Sequence, residues 1–237
     1  MFQLSSTRAR RETCAVRALL IGNEGDNDPG IVGAALLAEG FTLHNVVRET
    51  LTAPPATGDF DLVVSLGSEW SIPGRSAAGL VDLEITALRQ AHAADTAILG
   101  ICFGGQLLAT ALGGSVHRSP APEVGLYDVE TDDPELIPSG PWVQWHYDRF
   151  DAPADATVLA RTESATQAFI VGRALGIQFH PEVDDTIVTR WAAGDADLPG
   201  IGRTPDAVLQ SVRPGLDRSA ELGRRLVHTF LRRVRLS

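Results

Sequence analysis

The chain has 237 residues, 44% hydrophobic and 21% charged, with a formal net charge of -10. That length supports one sizeable core, and the acid excess argues against a nucleic-acid partner, because phosphate binding wants a basic face. All twenty basic residues are arginine, a bias that fits GC-rich codons and rules out Schiff-base and P-loop lysines, and with them lysine-based aldol chemistry and Walker-type nucleotide hydrolysis.

Residues 1–14 are polar and arginine-rich and are read as a loose arm ending at Cys14, with residues 15–237 as a single domain. The run Ala15 to Ile21 predicts a buried strand, closed by Gly22-Asn23-Glu24-Gly25. Asp28 and Pro29 look like a helix start, with Ile31, Val32, Ala35 and Leu36 on one face and Gly40 at the end. Phe41 to Val47 and Asp59 to Leu66 predict strands, and Leu80 to Ala94 predicts an amphipathic helix. Ala97 to Ile101 is a strand that delivers Cys102, after which Gln106 to Leu112 reads as helix and stops at Gly113-Gly114.

Nearly continuous apolar strands alternating with helices imply an α/β fold with a mostly parallel central sheet flanked by helices. Between residues 115 and 180 the helical signal fades. Short strand-like pieces remain at Val124 to Val129, Pro141 to Trp145, Thr157 to Ala160 and Gln167 to Gln178, expected to pair as a small antiparallel excursion. Residues 193–218 are rich in Gly, Pro and Asp and read as a long loop. Ser219 to Leu236 is an amphipathic helix with Leu222, Leu226, Val227, Phe230 and Leu231 inward and arginines outward. With only two cysteines and no apolar stretch of spanning length, the chain is expected in the cytoplasm, away from membranes and without a disulfide framework.

The chemistry concentrates in two segments. In Ile98-Leu99-Gly100-Ile101-Cys102-Phe103-Gly104-Gly105-Gln106 an apolar strand turns at a cysteine into a helix, the pattern of a nucleophile elbow. There the sulfur stands near the positive end of a helix, where an anion is favoured. In Gln178-Phe179-His180-Pro181-Glu182, His180 and Glu182 are two apart and share one side of an extended segment. A thiolate, a proton-shuttling imidazole and a carboxylate that holds its tautomer are the parts of nucleophilic acyl transfer. The elbow itself predicts one oxyanion donor, the backbone N–H of Phe103, and Gly67 at the end of the Leu62 to Val64 strand is the second candidate.

At these residues the chain resembles the class I (triad) glutamine amidotransferases. The likeness rests on Gly100 to Gln106, on Gly176 to Glu182, on Gln144-Trp145-His146-Tyr147-Asp148 between them, and on Leu66 to Ser71 where the family keeps its oxyanion loop. It covers roughly residues 15–192. The resemblance implies a flavodoxin-like fold and hydrolysis of the glutamine side-chain amide through a γ-glutamyl thioester, with no cofactor and no metal. Cys102 maps onto the nucleophile, His180 onto the base, Glu182 onto its partner, Gly67 and Phe103 onto the oxyanion donors, and Gln106 onto a glutamine-contacting position. Trp145 and His146 map onto the segment whose backbone holds the α-amino acid end of the substrate. Gly105 departs from the histidine found in many members, and Leu66-Gly67-Ser68 from their Gly-Gly-Pro.

With only a loop and one helix expected after Glu182, there is no room for an ATP-dependent synthetase, so ammonia would pass to a separate subunit or be released. Two other functions compete: a γ-glutamyl peptidase or hydrolase using the same groups on larger amides, favoured by a wider pocket near Gly105, and a catalytically silent binding subunit.

Overall fold

The structure, a computed structural model, describes residues 16–236, so the arm read over residues 1–14, with Cys14, lies outside the described residues. Chain order runs β1 (Arg17–Gly22), α1 (Gly30–Ala38), β2 (Thr42–Val47), β3 (Leu62–Ser65), α2 (Ala78–Ala93), β4 (Ala97–Ile101), α3 (Phe103–Ala111), β5 (Ser115–Tyr127) and β6 (Glu130–Thr131). It continues with β7 (Trp142–Asp151), β8 (Thr157–Arg161), β9 (Thr166–Val171), β10 (Ala174–Ile177), α4 (Asp185–Gly194), α5 (Pro205–Val212) and α6 (Leu216–Arg233). Eight strands form one sheet in the order β2-β1-β3-β4-β10-β9-β8-β6. The first five are mutually parallel and the last three continue antiparallel.

Strands buried on both faces alternate their side chains between two cores. Ala18 and Leu20 of β1, with Leu62, Val64, Leu99 and Ile101, pack against α1 (Val32, Leu36) and α6 (Leu222, Leu226, Phe230). Leu19, Ile21, Val63 and Ile98 face the other way, onto Val81 and Leu88 of α2 and Leu107 and Leu108 of α3. The five residues read as inward on α6 are all buried, together with Leu216, Ser219 and Gly223. Outside the main sheet, β5 and β7 form a separate antiparallel ribbon with a register shift between Arg118 and Glu123.

Several boundaries differ from the sequence reading. The helix after Cys102 begins at Phe103, three residues earlier than expected. The piece read as Gln167 to Gln178 is a hairpin, β9 and β10, folded at Gly172 (φ +57°), and β10 pairs antiparallel with β9 on one side and parallel with β4 on the other. The expected loop at 193–218 holds the end of α4, all of α5 and the start of α6, so more than a loop and one helix follow Glu182. Helix signals were present there. The Asp184 carboxylate accepts from Ile187 N–H at 2.9 Å, and the Thr204 hydroxyl accepts from Ala207 N–H at 3.3 Å ahead of Pro205. Ile187, Val188, Val208 and Val212 then close a third core against Val124 and Val143 of the ribbon. No helix of the described residues is long and apolar enough to cross a membrane.

Candidate active site

Three neighbouring parallel strands, β3, β4 and β10, end at the same edge of the sheet, with Ser65 opposite Gly100 and Ile101 opposite Ile177. Each therefore delivers its next residues to one place, the edge where open α/β sheets bind ligands. From β3 come Leu66, Gly67 and Ser68, from β4 comes Cys102, and from β10 come Gln178, Phe179 and His180.

Cys102 has φ +49° and ψ -104°, a conformation rarely adopted by a residue with a side chain. Its surroundings impose it. The Cys102 N–H donates to Ile177 O at 2.8 Å, and its carbonyl accepts from Gln106 N–H at 2.9 Å to start α3. Glycines permit the tight turn: a Cβ on Gly100 would lie 2.6 Å from Gly104 O, and one on Gly104 would overlap the Ser65 carbonyl. Cys102 is 5% exposed, and its sulfur lies 3.4 Å from the Gln178 Nε2 that donates to it and 3.8 Å from Trp145 O.

His180 is fixed at its backbone by donation to Val143 O at 2.8 Å, and at its ring by Glu182. Since an ionised carboxylate only accepts, His180 Nδ1 carries the hydrogen and donates to Glu182 Oε1 at 2.7 Å. Nε2 then faces away from Glu182, with no hydrogen-bond partner among the described residues. Burial works against the charged ring, but the charge of Glu182, and then that of the nearby Cys102 sulfur, outweigh it and raise the His180 pKa well above 6.5. Gly67 sits beneath both groups, where a Cβ would lie 3.0 Å from His180 Cε1 and 3.9 Å from Cys102 Cβ.

A cavity of about 740 Å³ opens over these groups, lined among others by Cys102, His180, Gln106, Trp145 and Trp191. Gln106 donates from Nε2 to Asp148 O at 3.3 Å, and the Trp145 indole donates to Asp195 at 2.7 Å. The His146 ring is buried, with Nε2 at 3.0 Å from Glu123 and Nδ1 at 3.0 Å from Asp148 O, so both nitrogens are taken up within the protein. Gly105 does not line the cavity; a Cβ there would lie 2.5 Å from Ile177 O, and that position gives no width to the pocket. The sequence reading missed Gln178 and Trp191. Gln178 was findable, being two residues before His180 on the same extended segment. Trp191, whose ring is 4.6 Å from that of His180, comes from the unforeseen α4.

A cysteine at a strand–helix elbow beside a buried His–Glu pair, on a mostly parallel sheet flanked by helices, is an arrangement suited to nucleophilic acyl transfer. The chain belongs to the class I glutamine amidotransferase family, whose model, "Glutamine amidotransferase class-I", matches residues 71–189. It is 45% identical over 98 residues to the glutamine-hydrolysing GMP synthase of Aeropyrum pernix, a match covering 38% of this chain and 19% of that one. A glutamine-hydrolysing GMP synthase subunit from Ignicoccus hospitalis is 33% identical over 143 residues, covering 56% of this chain and 72% of that one. The crystal structure of a glutamine amidotransferase from Thermotoga maritima superimposes with a TM-score of 0.79 at 27% identity, covering 92% of this chain and 98% of that one. The chain thus spans about a fifth of the length of the Aeropyrum enzyme.

Proposed function

We propose that this chain hydrolyses the side-chain amide of glutamine through a γ-glutamyl thioester on Cys102. The single observation that carries the reading is the 2.7 Å bond from His180 to Glu182 beside a sulfur seated in the same cavity. The imidazole, held by Glu182, takes the thiol proton, and the sulfur attacks the amide carbon. The tetrahedral oxyanion is met by the N–H groups of Gly67 and Phe103, the latter free because the first turn of a helix has no internal acceptor for it. The imidazolium then gives its proton to the amide nitrogen, the C–N bond breaks, and ammonia leaves. Water, deprotonated by the same ring, cleaves the thioester to glutamate. Gln106 and the Trp145-His146 backbone line the side of the cavity assigned to the α-amino acid end.

The ammonia is proposed to pass to a separate synthetase, by analogy with the Ignicoccus relative, whose name makes it one subunit of a GMP synthase. A second reading, hydrolysis of larger γ-glutamyl amides, is favoured by a cavity of about 740 Å³, which offers more room than free glutamine fills.

The test is ammonia release from glutamine, and amine release from a panel of γ-glutamyl amides, by the purified chain and by Cys102→Ala. Turnover by the wild type and none by the variant is expected. A variant as active as the wild type would remove the mechanism, and turnover of bulky amides alone would replace the substrate.

A further inference from the structure

Arg48 follows β2 and is only 1% exposed, as is its ion-pair partner Glu84 of α2. It does not line the cavity, yet every nitrogen of its guanidinium is engaged. Nε donates to Glu84 Oε2 at 2.6 Å and Nη2 to Glu84 Oε1 at 3.3 Å. Nη1 donates to Asn23 Oδ1 at 2.7 Å and to Gly67 O at 3.0 Å, while Nη2 also donates to Leu66 O at 2.7 Å and reaches Ser65 Oγ at 3.4 Å. Ser65 closes the network by donating to Glu84 at 2.7 Å. The guanidinium carbon also stands 5.3 Å from the centre of the Phe103 ring.

Two of these contacts bear on the chemistry. Leu66 O and Gly67 N belong to one peptide unit, and a trans peptide is planar with its C=O and N–H pointing in opposite directions. Among the described residues the only cis bond is Gly140-Pro141. Drawing the Leu66 carbonyl onto a buried cation therefore turns the Gly67 N–H the other way. That N–H has no acceptor among the described residues, and a Cβ built on Gly67 would lie against His180 and Cys102. Arg48 thus grips one candidate oxyanion residue through its peptide and lies over the side chain of the other, Phe103.

We propose that Arg48, braced by Glu84, is a positioning residue that sets the oxyanion donor of Gly67. This rests on the amide-hydrolysis reading given above. A fixed donor stabilises charge only as it develops, so its loss lowers kcat and leaves KM nearly alone.

The test compares Arg48→Lys and the double variant Arg48→Met/Glu84→Met with the wild type. Lysine keeps a cation beside Glu84 but cannot span both carbonyls as a planar fork can. The double variant removes the buried pair together, which folds tolerate far better than removal of one partner. For each folded variant two rates are read: kcat and KM for glutamine, and alkylation of Cys102 by iodoacetamide, quantified on the Cys102 peptide. Alkylation is a displacement at carbon with no oxyanion, so it reports the nucleophile alone. The expected result is a kcat lower by about a hundredfold, with KM and the alkylation rate within about twofold of the wild type. Wild-type kcat in either variant overturns the proposal. So does a fall in alkylation that matches the fall in kcat, since Arg48 would then serve the fold and not the donor. If the double variant fails to fold, the lysine variant decides. A wild type that is alkylated but leaves glutamine intact would sink the substrate reading only, and the comparison is then made on whichever γ-glutamyl amide the wild type hydrolyses.

Discussion

The His180 imidazole donates from Nδ1 to Glu182 Oε1 across 2.7 Å, with both side chains almost wholly buried. In such a place burial alone would keep the ring neutral; the charge of Glu182, with that of Cys102, reverses the outcome and raises the pKa well above 6.5. A histidine whose folded-state pKa exceeds its unfolded value adds stability that is fully present below about pH 6.5 and is lost as pH rises through the folded pKa. Glu182→Gln removes the larger raising charge and leaves the burial. The wild-type denaturation midpoint is therefore expected to fall as pH rises above about 6.5, and the variant to lose most of that slope. Its kcat should drop by about a hundredfold or more, as the ring loses its orientation and the partner of its charge. A variant with unchanged slope and unchanged kcat would contradict the pairing.

Cys102 carries a second, less obvious signature. Its φ of +49° is costly for any side chain, by about 1–3 kcal/mol, and free for glycine. Cys102→Ala and Cys102→Gly should both be inactive, but the glycine variant should be the more stable of the two by about 1 kcal/mol despite the smaller side chain. Equilibrium denaturation of the two variants measures the difference. An alanine variant as stable as the glycine one would mean that the elbow is unstrained.

The elbow and the His180–Glu182 pair were legible in the sequence because each is local: an apolar run broken at Cys102, and two residues at strand spacing. The parallel half of the sheet was legible for the same reason, since Leu62 to Val64 and Ala97 to Ile101 are continuous apolar runs. The stretch 193–218 was misread as a loop because composition masked position. The Gly-, Pro- and Asp-rich stretch hides the cap Thr204, and Val208 and Val212 are too few to show a helical period by themselves; the cap Asp184 lies ahead of that stretch, where the sequence reading placed no element. Arg48 was not legible at all. Its partners Glu84 and Gly67 lie 36 and 19 residues away, and only the sheet order brings them together.

Gly67 and Gly104 flank the site but should respond differently to alanine. At Gly67 a Cβ would stand 3.0 Å from His180 Cε1, close enough to push the ring by a few tenths of an ångström without touching backbone. Gly67→Ala is expected to fold, with kcat reduced by about tenfold and KM little changed, because misplacing a catalytic group costs rate before it costs binding. At Gly104 the same Cβ would run into the Ser65 carbonyl, fixed within the β3 edge. Gly104→Ala should be destabilised by about 3 kcal/mol or more, in the upper range for overpacking. Thermal melts and steady-state kinetics separate the two; a Gly104→Ala protein as stable as Gly67→Ala would refute the packing argument.

Trp191 offers a handle on substrate size. Its ring meets that of His180 edge-on at 4.6 Å, and its indole N–H donates to Asp26 Oδ2 at 2.8 Å, with Asp26 held in turn by Arg190. In the proposed mechanism His180 protonates the departing nitrogen, which makes the wall beside that ring the border of the leaving group and not of the glutamyl end. Trp191→Ala removes the wall and one support of the ring. For glutamine, kcat should fall by about tenfold, because the imidazole is less well held. Amides with larger leaving amines should lose less, since the enlarged space admits them, and their turnover relative to glutamine should rise. An equal loss across the panel would mean that Trp191 supports the ring without bounding the leaving group, and the leaving-group side would then have to be sought elsewhere in the cavity.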